Sequence, residues 1–133
     1  MAVKLRIAIL LLAIPVSICA SETNSTPVTF TKDVAPILYR NCVACHHAND
    51  IAPMSLTTYK EVRPWASAIR QAVVQRAMPP WHADPSVGEY RNDPRLKSSE
   101  IETIEAWVKS GAPEGDPGDL PPVPSFETAD VPQ

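Results

Sequence analysis

Residues 42–46 read Cys-Val-Ala-Cys-His. Two thiols three positions apart, followed at once by an imidazole, form the attachment pattern of a c-type haem. The spacing has a mechanical reason. Within one turn of chain, Cys42 and Cys45 can form thioethers to the two vinyl edges of one porphyrin, while His46, held behind the second anchor, turns its ring toward the iron. The competing readings of the same five residues are a zinc knuckle and a redox dithiol. A structural zinc site wants four ligands in paired clusters. His46, His47 and His82 could complete one with the two thiols, but the chain has no second Cys pair.

Toward the N-terminus, Lys4 and Arg6 precede an apolar run from Ile7 to Ile14, and Pro15 to Ala20 offers small residues before polar Ser21. This order is that of a secretory signal peptide, assigned to residues 1–20 with cleavage after Ala20. The uncharged stretch 7–20 falls short of the roughly 20 residues a spanning helix needs, so an uncleaved membrane anchor is the weaker reading. Cys19 lacks the small residue expected just before a lipidated cysteine. Export into a periplasmic or other oxidising space argues against a reduced dithiol. Removal of the segment takes away Cys19, leaving only Cys42 and Cys45, and moves the formal charge from −3 to −5. An acidic chain of this kind argues against a nucleic-acid surface.

The whole chain has 133 residues, of which 44% are hydrophobic, enough for one compact domain with a modest core. A buried haem would add a large apolar staple to that core. Residues 21–29 form a polar, Thr-rich flexible leader. From Thr31 a helical pattern sets Val34, Ile37 and Leu38 on one face up to Arg40, with Thr31 as cap and Asp33 at the positive end of the helix dipole. Pro36 is comfortable only in a first turn.

Beyond the motif, residues 49–56 read as a loop. Thr58 and Glu61 then carry the spacing of a capping box. Pro64 kinks the helix or starts another, and Trp65, Ala68, Ile69, Ala72 and Val73 recur at the spacing of one buried stripe. Pro79 and Pro80 stop that helix at Met78. Residues 81–96 read as a loop wrapped over the domain. Ser98 or Ser99 can cap a last helix carrying Ile101, Ile104, Trp107 and Val108 on one face, with Lys109 at its end and Gly111 as its left-handed terminator. Residues 112–133 form a Pro-rich acidic tail, an extended wrap or a linker. No alternating strand pattern stands out, so the expected fold is all-α, with its domain at residues 30–111 around one covalently bound haem.

A six-coordinate iron needs a second axial ligand, and the candidates are Met54, Met78, His47 and His82. Methionine on a helix is usually core filler, a reading that stays open for Met54. Met78 sits where two prolines stop the helix and is the preferred distal ligand, with His82 or an open position as alternatives. His47 follows His46 too closely to reach the opposite face.

The chain resembles a monohaem cytochrome c domain of the bacterial class I type. The resemblance rests on the helix 30–40 running into Cys42-Val-Ala-Cys-His46, on Ile51-Ala-Pro-Met-Ser-Leu56, on Met78-Pro-Pro-Trp81, and on the closing helix 100–109 ending in Gly111-Ala-Pro. It implies that Cys42 and Cys45 bind the haem covalently and that His46 and Met78 are its axial metal ligands. It further implies that the carbonyl of Pro53 accepts the N–H of His46 and that Leu56 packs on the ring. The interval from His46 to Met78 is shorter than in many members of that family.

The function so implied is that of an exported one-electron carrier, docking on a donor and an acceptor protein, and not that of an enzyme. Two alternatives stand beside it. One is a haem peroxidase or gas-binding sensor with a labile distal ligand. The other is an electron-transfer domain of a larger oxygenase or redoxin assembly, for which the tail resembles a linker.

Overall fold

The computed structural model describes residues 26–126 except 82, 85 and 92. The signal segment, most of the leader, His82 and the last seven residues of the tail lie outside the described residues. Among those described there are helices and no strands, so the fold is all-helical. None of these helices is long and apolar enough to cross a membrane.

The first helical segment opens one residue earlier than its sequence pattern predicts, as a π turn over Phe30–Val34 that continues into α1, Ala35–Asn41. Pro36 explains the wide turn. It brings no N–H, so the α-type bond to the Lys32 carbonyl cannot form, and Val34 N–H reaches back five residues to Thr29 O at 3.2 Å. Thr31 does not cap, because it is buried. The cap is the carboxylate of Asp33, which accepts the Thr29 N–H at 2.8 Å.

The capping box forms as expected: Thr58 N–H donates to Glu61 Oε2 at 2.9 Å, and Glu61 N–H donates to Thr58 Oγ1 at 3.3 Å. It opens α2, Tyr59–Val62. Burial alone would raise the Glu61 carboxyl, but hydrogen bonds from Thr58, Thr57 and Ser55 hold it below the usual range. Pro64 then imposes a 3-10 turn, Arg63–Trp65, before α3, Ala66–Val74. The tighter turn advances the helical phase, so the buried stripe is Val62, Ala66, Ile69 and Val73. Trp65 and Ala68, expected on that stripe, are exposed. The helix also ends four residues before Met78. Arg76 takes a left-handed conformation at φ 53°, and Ala77 N–H closes on Ala72 O at 2.9 Å. A non-glycine residue there costs about 1 kcal/mol.

The last helix, α4, spans Ser98–Lys109. Lys97, not a serine, precedes it, and Glu100 Oε2 accepts the Lys97 N–H at 2.8 Å. Ile101, Ile104 and Trp107 are buried, and α4 packs against α3 and the π turn. Its end is a Schellman turn in which Gly111, at φ 92°, donates to Val108 O and Ala112 donates to Trp107 O.

Four successive carbonyls then tie the domain together. Gly111 O accepts from Arg63 Nη2, Ala112 O from the Tyr59 hydroxyl, Pro113 O from both Phe30 N–H and Trp107 Nε1, and Glu114 O from Thr31 N–H, all at 2.9–3.0 Å. These bonds satisfy the free amides at the start of the chain's first helix. Gly115 makes the approach possible. A Cβ there would lie 2.4 Å from Thr31 Oγ1, and its φ of 92° suits glycine. Phe30 sits between Tyr59 and Trp107, with ring centroids at 5.6 and 6.2 Å.

Candidate functional site

The motif begins where α1 ends. Cys42 and Val43 both donate to Leu38 O, and Cys45 and His46 both donate to Cys42 O, at 2.8–3.1 Å, so the five residues form a single turn. Val43 is buried and pins the turn to the core. Cys42 is half-buried, Cys45 is exposed, and both thiols are free. The loop then closes on the motif: Ala52 N–H donates to Cys45 O, and Leu56 N–H donates to His46 O at 2.9 Å. Leu56 is buried in the core beside the site, whereas Pro53 is exposed.

The His46 ring sets Nδ1 3.2 Å from the carbonyl of Met54. The resemblance implies Pro53 as that acceptor, and the observed one is a residue further on. Since a carbonyl only accepts, Nδ1 carries the proton and the Nε2 lone pair is left for a metal. Met54 packs against the core and contributes its backbone rather than its sulfur. Its role has no signature in the sequence, because every residue carries that group.

Electrostatics separate the two readings of the thiols. Burial, with Cys45 and Glu100 nearby, pushes the Cys42 thiol up to about 12. A redox dithiol depends on a depressed thiol, the opposite of this. Among the described residues, no three of His, Cys, Asp or Glu converge as metal ligands.

Met78 follows the left-handed turn, donates its N–H to Ala72 O, and is 42% exposed. It borders a cleft of about 230 Å³ with Val73, Arg76, Trp81, Leu96 and Ile101. Cys42, Cys45 and His46 do not line that cleft. The first turn of α4 connects the two places: Glu100 acts on the Cys42 thiol, and the next residue, Ile101, lines the cleft.

The three tryptophans differ sharply. Trp107 Nε1 donates to Pro113 O, and Trp65 is exposed. Trp81 Nε1 is buried with no partner among the described residues, and its ring meets Tyr90 edge-on at 5.8 Å. An orphaned buried N–H is costly, so Trp81 is the indole with an unmet need for an acceptor.

Compared with protein-family models, with curated proteins and with solved structures, the chain matches none of them.

Proposed function

We propose that this chain is an exported c-type cytochrome, a periplasmic one-electron carrier between a donor and an acceptor protein. The observation that carries the reading is the turn at residues 42–46, with two free thiols and an imidazole whose Nδ1 is bound to Met54 O. The donor set fits a covalent haem. Cys42 and Cys45 would anchor it, and His46 would present Nε2 to the iron from an orientation fixed by the Met54 carbonyl. Leu56 would pack beside it, and Met78 would be the distal ligand. Bound there, the haem supplies a single one-electron couple.

This chain's own residues do the remaining work. The Cys45 and His46 carbonyls hold the returning loop, and so fix the ring against rotation. The buried N–H of Trp81, which lines the same cleft as Met78, could donate to a carboxylate of the bound group. Held by His46 and Met78 together, the haem would favour its ferrous state and would offer no vacant position for oxygen chemistry.

Protein from cells with haem-attachment machinery tests the reading. Its reduced spectrum should be unchanged by carbon monoxide. Met78→Ala should abolish the near-infrared band of Met-ligated ferric iron and lower the midpoint potential. Retention of the band would transfer the ligand role to another residue. The 42% exposure of Met78 favours one second reading, a distal position that opens for a gas or peroxide. Rapid formation of a carbonyl complex by unaltered protein would select it.

A further inference from the structure

The chain presents two adjacent imidazoles, and their chemistry is the same. His46 directs Nδ1 at the Met54 carbonyl, and His47 directs Nδ1 at the Val43 carbonyl at 2.8 Å and the Asp50 carboxylate at 3.1 Å. Oxygen acceptors hold the proton on Nδ1 in both rings, so each leaves an Nε2 lone pair. Neither ring's hydrogen bonds exclude it as a ligand.

Packing distinguishes them. The tail leaves the Gly111–Gly115 junction, crosses the Pro117–Asp119 3-10 turn and returns to the attachment loop, where Phe126 lies flat on His47. The ring centroids are 3.9 Å apart and the planes differ by 7°. Val123 and Pro124 line the same groove, of about 420 Å³, against Ala48 and Thr57. Among the described residues, no aromatic ring stacks on His46 in this way.

We infer that the tail is a clasp: Phe126, with Asp50 and the Val43 carbonyl, holds His47 out of the ligand set and leaves His46 as the member of the adjacent pair offered to iron. The inference rests on the haem reading proposed above. Phe126 is a positioning residue, acting through His47 and never touching the metal. An aromatic pair of this kind shifts an open–closed equilibrium by roughly two- to tenfold, enough for a released His47 to compete as a neighbouring ligand.

Low-temperature electron paramagnetic resonance of the ferric holoprotein tests this. The unaltered chain should give one low-spin species. Phe126→Ala should add a second, which disappears when His47→Ala is introduced into the same variant; Phe126→Tyr, which keeps the stack, should behave as the unaltered chain. His47 in Phe126→Ala should also react with diethylpyrocarbonate about two- to tenfold faster, read by peptide mass spectrometry. A single unchanged species in Phe126→Ala would overturn the clasp, as would a second species that persists without His47. Failure of the haem reading is separate and is read before any substitution, from unaltered protein that carries no haem.

Discussion

Cells that attach haem are expected to produce the Cys42→Ala, Cys45→Ala double variant without covalent haem and without a cooperative tertiary structure. Among the described residues, the four α-helices have 7, 4, 9 and 12 residues. Isolated helices shorter than about 12–15 residues are marginal in water, so these depend on the surface they share. The protein core itself is small, with Trp107, Phe30, Leu38 and Ile104 its largest fully buried side chains. Met78, the proposed distal ligand, is 42% exposed, and a bound haem would cover it. Near-ultraviolet circular dichroism and a thermal melt read the result. A sharp melt close to that of the haem-bearing chain would show that the polypeptide core suffices without the cofactor.

Trp107→Ala should cost about 3–5 kcal/mol, the usual range for deleting a large aromatic side chain from a packed core. Trp107 is fully buried, its ring lies against Phe30, and its Nε1 donates to the Pro113 carbonyl that also receives the Phe30 amide. The substitution therefore opens a cavity and loosens the junction of α4, the tail and the chain's first helix at once. Trp107→Phe separates the two effects, since it keeps most of the ring and loses only the hydrogen bond, about 0.5–1.5 kcal/mol. Denaturant unfolding of both variants measures the difference. A loss below about 1 kcal/mol for Trp107→Ala would mean that this junction does not organise the domain.

Much of this was legible because it is written in short-range chemistry. Thr58 and Glu61 have few other uses at that spacing, Gly111 is where a left-handed stop is needed, and the stripe of Ile101, Ile104 and Trp107 repeats at helical period. What escaped was set by backbone geometry or by distant partners. Arg76 takes a left-handed conformation that its side chain does not advertise, which moves the end of α3 ahead of the prolines. Trp65 left the buried stripe because the turn at Pro64 is 3-10, a change of pitch invisible to a count of apolar positions. The acceptor for His46 is a carbonyl, and carbonyls carry no sequence signal. Phe126 looks like one apolar residue in a Pro-rich tail until its contact with His47, 79 positions away, is known.

The covalent attachment of one haem through Cys42 and Cys45 is tested most directly by the intact mass of denatured protein from haem-attaching cells. The expected result is the mass of the mature chain plus one haem, with the increment absent from the double-alanine variant. A chain at its bare polypeptide mass, with or without haem that washes out on denaturation, would contradict it.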